Sequence, residues 1–220
     1  DLMNCDFYQV YGLTETTGAI TLLSPEDHSI ERGKLRSCGK PIPGVEIKIV
    51  DENKNEVPTG EVGEIITKSD LNMKGYWNND KATSEAFNNS WFYSGDLGYL
   101  DKDGFLFIHD RLKDMIVSGG ENIYPAEVEN ALMSNSLILD AAVVGIPDEK
   151  WGESTKAFVV LKKEGEINEE EIINYTKTKI ASYKCPKSIN FISELPRNPS
   201  GKVLRRELRA PFWEGKDREV

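Results

Sequence analysis

The chain has 220 residues, 39% of them hydrophobic, enough to bury one good core or two modest ones. Against 27 basic residues it carries 37 acidic ones, a formal net charge of −10, which argues against a general nucleic-acid binder whose affinity rests on neutralising phosphates. Three scattered cysteines (Cys5, Cys38, Cys185), odd in number and without metal-ligand spacing, favour a reducing, cytoplasmic setting, and no run approaches the roughly 18 apolar residues of a spanning helix.

Residues 2–11 read as a short strand entering a turn. The segment Gly12-Leu13-Thr14-Glu15-Thr16-Thr17-Gly18 follows, a hydroxyl-rich loop with glycine at both ends. Such a loop lets backbone approach a ligand while Thr14 offers a hydroxyl and Glu15 a carboxylate; it equally suits a solvated turn. Val45, Ile47 and Ile49 alternate with Glu46 and Lys48, predicting a half-buried strand, and Glu64–Lys68 predicts its neighbour beyond the breakers at Pro58–Gly63. A short helix is expected near Ala82–Phe87. Trp91–Tyr93 and Phe105–Ile108 flank a hairpin whose tip is Asp101-Lys102-Asp103-Gly104. That tip lacks the spaced acidic ligands and closing Glu of a calcium loop, so it reads as a turn.

The texture changes past Arg111. Pro125 suits a first helical position, with Val128, Ala131 and Leu132 on one face and Glu127 and Glu129 near the positive helix end. Strands are predicted over Asp140–Ile146 and Thr155–Leu161. Asn168 and Glu171 form a capping box that opens a helix carrying Ile172, Thr176 and Ile180. Ser188–Ile192 predicts a third strand and Val203–Arg209 a last short helix with Leu204 and Leu208 inward. The tail after about residue 210 has no periodicity and is expected to be disordered unless Phe212 and Trp213 dock.

Five segments taken together resemble the adenylate-forming superfamily: Tyr11-Gly12-Leu13-Thr14-Glu15, Tyr93-Ser94-Gly95-Asp96, Asp110-Arg111-Leu112-Lys113-Asp114, Ser118-Gly119-Gly120-Glu121-Asn122-Ile123-Tyr124-Pro125, and Asn198-Pro199-Ser200-Gly201-Lys202. The detail of Lys81-Ala82-Thr83 and of Asp148-Glu149-Lys150-Trp151-Gly152-Glu153 is most similar to the fatty-acyl-CoA synthetase branch. The resemblance implies an α+β fold. Residues 1–111 would be the mostly β, distorted barrel-like end of a large AMP-binding domain, and residues 112–220 a small, mobile α+β lid. The family's Ser/Thr/Gly-rich phosphate loop lies upstream of the first motif and has no counterpart here, so the chain is expected to be a C-terminal portion, inactive alone.

By resemblance, the complete enzyme joins a carboxylic acid to ATP with Mg²⁺ and passes the acyl group to coenzyme A. Lys202 would stabilise charge at the α-phosphorus, Thr14 would hydrogen-bond a phosphate oxygen, and Glu15 would hold Mg²⁺. Tyr11 would pack on adenine, with Asp96 and Arg111 on the ribose. Lys113 matches the hinge about which the small domain swings between two poses. Gly119 and Gly120 would line the thiol path, though they suit a plain tight hairpin as well. Trp151, Tyr183 and Lys187 fall where relatives place coenzyme A contacts, and small residues at Thr16–Ala19 would lie near the acyl group. Two alternatives stay open: an adenylating enzyme that loads a carrier protein, and a non-catalytic module that keeps the fold. The sequence leaves assembly into a homo-oligomer open.

Overall fold

The computed structural model describes residues 5–163 and 165–215. It is an α+β chain in two compact units, Asp1–Leu112 and Lys113–Val220. Residues 2–4 of the expected first strand lie outside the described residues, and the strand itself runs later, as β1 (Gln9–Leu13).

In the first unit β1 pairs antiparallel with β2 (Gly18–Leu23), and β2 with the two-residue β3 (Lys40–Pro41). A second antiparallel sheet holds β4 (Glu46–Val50), β5 (Gly63–Lys68), β6 (Phe87–Asn88), β7 (Trp91–Leu100) and β8 (Leu106–Arg111). The short helix α1 (Asp80–Ala86) precedes β6, with the Asn79 side chain accepting from the Ala82 amide at its start. A bridge between Gly39 and Leu106 joins the edges of the two sheets around a core of Cys38, Ile49, Ile65 and Leu106. Alternation in β4 works as predicted, since Ile49 faces this core and Ile47 its margin. The turn at 101–104 is a side-chain-stapled hairpin tip. Asp101 accepts from the amides of Asp103 and Phe105, and Lys34 reaches both Asp101 and Asp103.

The second unit opens with the short hairpin β9 (Ile116–Ser118) and β10 (Glu121–Ile123), which leads into α2 (Pro125–Met133). The long antiparallel pair β11 (Ile138–Asp148) and β12 (Gly152–Leu161) forms the sheet centre. Helix α3 (Glu169–Lys177) crosses from β12 to β13 (Ser188–Phe191), which pairs parallel with β12, and α4 (Arg205–Arg209) closes the unit. The capping box forms as expected, with Asn168 and Glu171 exchanging side-chain and backbone hydrogen bonds at 3.0 and 2.9 Å. Ile180 still packs into the core although the helix stops at Lys177.

Strand β12 reads as a continuous apolar run because both of its faces are covered. Ala157 and Val159 meet Val128 and Leu132 of α2 and Ile172 of α3; Phe158 and Val160 meet Leu195, Leu208 and Phe212. Of the two outcomes left open for the start of the tail, docking is the one seen: Phe212 joins the second of these clusters, and the Trp213 indole donates to the Gly145 carbonyl at 3.0 Å. Residues 216–220 lie outside the described residues. Among the described residues no helix is long and apolar enough to cross a membrane.

Candidate functional site

Three of the expected nucleotide residues meet in the first unit. The β7–β8 register sets Asp96 opposite Arg111, and the Arg111 Nε lies 3.2 Å from Asp96 Oδ1. From β1 the Tyr11 hydroxyl donates to Asp96 Oδ2 at 2.8 Å. The turn behind Asp96 is fixed on both sides. Its own amide donates to Ser94 Oγ at 3.0 Å, Ser94 Oγ donates to the Ile65 carbonyl at 2.6 Å, and the Gly95 amide donates to Glu64 Oε1 at 3.0 Å. Burial raises the Glu64 carboxyl above its ordinary range, an effect the Gly95 hydrogen bond opposes. Burial, then the charge of Asp96 and the hydrogen bond to it, hold the Tyr11 phenol protonated far into the alkaline range.

Asp96 is only 6% exposed, yet a carboxylate has about four lone-pair directions and Tyr11 and Arg111 take two of them. Two remain for a vicinal diol. The expected pair of ribose clamps are therefore partners of each other first, and a ribose would have to share Asp96. Replacing Asp96 with alanine in the 220-residue chain is expected to lower stability by about 1–3 kcal/mol, mainly by leaving the Tyr11 phenol without its acceptor. Asp96→Asn keeps an oxygen for Tyr11 and is expected to lose less than half as much, as read by urea denaturation.

The Thr14–Thr16 segment is a single 3-10 turn. Thr16 is fully buried, its Oγ accepting from the Leu13 amide at 2.9 Å, so its hydroxyl staples the turn. Thr17, next in the same expectation, donates its hydroxyl to the Leu71 carbonyl at 2.7 Å. Gly12 serves an internal approach: a Cβ there would sit 1.8 Å from the Gly18 carbonyl oxygen across the hairpin. Thr14 is exposed. Glu15 is half-buried, its backbone carbonyl accepting from the Met73 amide at 2.7 Å and its Oε1 from the Tyr76 hydroxyl at 3.1 Å. Tyr76 is thus a site residue that sequence reasoning missed, because nothing in its spacing announces a contact 61 residues away. The arrangement fits Mg²⁺: a hard ion bound with nucleotide phosphates needs only one or two protein carboxylates, and a phenol holding one oxygen leaves the other to coordinate.

The second unit carries the other residues. Lys202 is exposed at the end of a loop closed on itself. Asn198 Oδ1 accepts from the amides of Ser200 (3.1 Å) and Lys202 (2.8 Å) and from the Ser200 hydroxyl (2.8 Å), while the Asn198 amide donates to the Lys202 carbonyl at 2.9 Å. These bonds fix the shape of the loop from Asn198 to Lys202.

Gly119 and Gly120 form the two-residue turn of the β9–β10 hairpin, with φ of 63° and 86°, both positive as a type I′ turn requires. Trp151, in the β11–β12 turn, lies against this turn. Its carbonyl accepts from the Gly119 amide at 2.8 Å, and a Cβ on Gly119 would come within 2.7 Å of its ring. The two glycines expected on the thiol path thus adjoin Trp151, expected as a coenzyme A contact. Tyr183 and Lys187, both exposed, lie on the α3–β13 connection, where the Lys187 amide donates to the Thr155 carbonyl. That anchor is four residues along β12 from Trp151, about 13 Å of strand. The neighbouring Lys184 is engaged in the fold, its ammonium 2.7 and 2.8 Å from the Glu127 carboxylate oxygens. Lys113 is exposed at the first position of the unit.

Comparison with known proteins adds to this geometry. Residues 1–77 match the AMP-binding enzyme family and residues 127–202 the AMP-binding enzyme C-terminal domain. Among curated proteins, the fatty acid–[acyl-carrier-protein] ligase ScoC of Streptomyces coeruleorubidus is 42% identical over 219 residues, which is 100% of this chain and 42% of that protein. The 2-succinylbenzoate–CoA ligase of Bacillus cereus (strain AH820) is 48% identical over 202 residues, 92% of this chain and 41% of that protein. The o-succinylbenzoate CoA synthetase (MenE) of Bacillus subtilis, solved with its acyl-adenylate intermediate OSB-AMP, superposes with a TM-score of 0.83 at 45% identity, covering 91% of this chain and 40% of that one. Its complex with ATP and magnesium gives 0.82 at 44% identity, covering 92% and 41%. The chain therefore spans about two-fifths of the length of these relatives.

Proposed function

The chain belongs to the adenylate-forming superfamily, and from that premise we propose that it is the nucleotide-gripping and lid portion of an AMP-forming acid–thiol ligase acting on a fatty acid. The observation that carries the proposal is Asp96, held by Tyr11 and Arg111 with two lone-pair directions left for ribose hydroxyls. Support for the acid comes from the relative named a fatty acid ligase, which matches the whole chain.

In the first half-reaction a carboxylate oxygen bonds to the α-phosphorus of ATP and the bond to pyrophosphate breaks. Two anions must approach while charge builds at phosphorus, and the Lys202 ammonium supplies a compact cation on a long stem. Bound Mg²⁺ would neutralise phosphate charge. Glu15 would hold it, with Tyr76 fixing the carboxylate's orientation and the Thr14 hydroxyl reaching a phosphate oxygen. Tyr11 would carry adenine on its ring. In the second half-reaction a thiol sulfur bonds to the acyl carbon, its proton leaves, and AMP departs with its oxygen. Rotation at Lys113 would withdraw Lys202 and bring the Gly119-Gly120 turn and Trp151 to the acyl group, with Tyr183 and Lys187 further along the coenzyme A nucleotide.

A carrier-protein thiol is the alternative acceptor, favoured by the same acyl-carrier-protein ligase relative. ATP–pyrophosphate exchange by the complete enzyme, screened over fatty, aryl and steroid acids, tests the adenylation proposal. Exchange with fatty acids is expected, and no carboxylate-dependent exchange would leave a non-catalytic module in its place. Offering coenzyme A and a phosphopantetheinylated carrier protein to the preformed acyl-adenylate then separates the two acceptors.

A further inference from the structure

Two cations and two anions meet beneath α4 in a cluster that the proposed chemistry does not use. Arg205 makes a two-pronged contact with Glu129, its Nη2 2.9 Å from Oε1 and 2.7 Å from Oε2, and its Nη1 lies 4.0 Å from Asp114 Oδ2. Arg209 places Nη1 3.8 Å from Asp114 Oδ1 and donates from the same nitrogen to the Lys113 carbonyl at 3.3 Å. Glu129 Oε1 also accepts from the Val143 amide at 2.8 Å, which ties the cluster to the central strand β11. All four side chains are at least three-quarters shielded, with exposures of 24% (Arg205), 16% (Glu129), 11% (Asp114) and 21% (Arg209). Shielding strengthens each contact relative to a surface pair.

The position of the cluster gives it a consequence. The Lys113–Asp114 peptide is planar, so holding its carbonyl oxygen and the Asp114 side chain fixes that plane in the second unit. The φ torsion of Asp114 is then not free to rotate. On the other side, Arg205 stands three residues after Lys202 on continuous chain. We propose that Arg205 and Arg209, by gripping Asp114 and the Lys113 carbonyl, act as positioning residues that confine the interdomain swing to the torsions of Lys113 and the chain before it. The motion is thereby passed to Lys202 without slack. The functional half of this inference rests on the proposed two-pose reading; the mechanical half does not.

The mechanical half is tested by amide hydrogen exchange in the 220-residue chain. Asp114→Asn and Arg209→Met are each expected to speed exchange at least tenfold both at 113–117 and at 199–204. Arg209→Lys, which keeps a donor for the Lys113 carbonyl, is expected to stay near wild type. Faster exchange in only one segment, or in neither, overturns the coupling. If Arg209→Met loses protection throughout β11 and β12, the near-isosteric Asp114→Asn decides alone.

In the complete enzyme, Asp114→Asn is expected to lower kcat for adenylation about tenfold with the KM for ATP unchanged, because the ribose grip lies in the other unit. A rise in KM with kcat intact would overturn the positioning role. A wild-type enzyme without carboxylate-dependent pyrophosphate exchange would instead refute the proposed reaction, leaving the exchange result on the clamp standing.

Discussion

Replacing Lys202 with alanine in the complete enzyme is expected to slow adenylation by roughly two to three orders of magnitude, the scale of losing one key electrostatic contact. Transfer from preformed acyl-adenylate to coenzyme A should be nearly unchanged, because the proposed rotation withdraws this ammonium before the thiol attacks. The structure makes the variant a clean probe. Asn198 holds the loop through the Lys202 amide and carbonyl, so truncating the side chain leaves these hydrogen bonds in place. An exposed lysine removed from such a loop should shift stability by no more than about 0.5 kcal/mol. Stopped-flow measurement of pyrophosphate release and of thioester formation checks both halves, and equal losses in the two would defeat the two-pose mechanism.

What the sequence revealed and what it hid follow a physical division. Local signals were legible. The alternation through Val45–Ile49, Pro125 at the start of a helix, and the reciprocal pair Asn168 and Glu171 each act within a few residues, and each appears where expected. Boundaries were less so. β11 and β12 run several residues beyond their predicted ends because pairing between them continues down to Asp148 and Gly152, a cooperative effect that neither segment shows alone. The tail after residue 210 looked disordered because one Phe and one Trp make no period. Their docking is set by the apolar surface of Phe158 and by the Gly145 carbonyl, both distant in sequence.

The site divides in the same way. Motif resemblance singled out Tyr11, Asp96 and Arg111, and the fold brings them together through a Tyr11–Asp96 hydrogen bond and an Arg111–Asp96 ion pair. It had no means of finding Tyr76 on Glu15 or Glu64 behind Asp96, because these contacts span 61 and 31 residues of sequence. The role of Thr16 was likewise hidden, because a hydroxyl in a polar loop gives no sign that it fastens the loop's own backbone.

Gly119→Ala is the second large expected effect, and it should fall on the opposite half-reaction. With φ at 63°, an L-residue at this position is strained by roughly 1–2 kcal/mol. The new Cβ would also lie 2.7 Å from the Trp151 ring, whose own backbone carbonyl is held by the Gly119 amide. Turn and indole must therefore move together. A displacement on the order of 1 Å where the thiol approaches predicts about a hundredfold slower thioester formation. Adenylation should remain close to wild type, since the Lys202 loop is fastened through Asn198. Gly120→Ala supplies the control. Its φ of 86° carries similar backbone strain, but a Cβ there meets open space. If contact with Trp151 is the cause, Gly120→Ala will lower stability through backbone strain alone, by less than Gly119→Ala, while retaining most of the transfer rate. Equal loss of transfer in both variants would assign the effect to the turn's conformation alone and remove Trp151 from the thiol site.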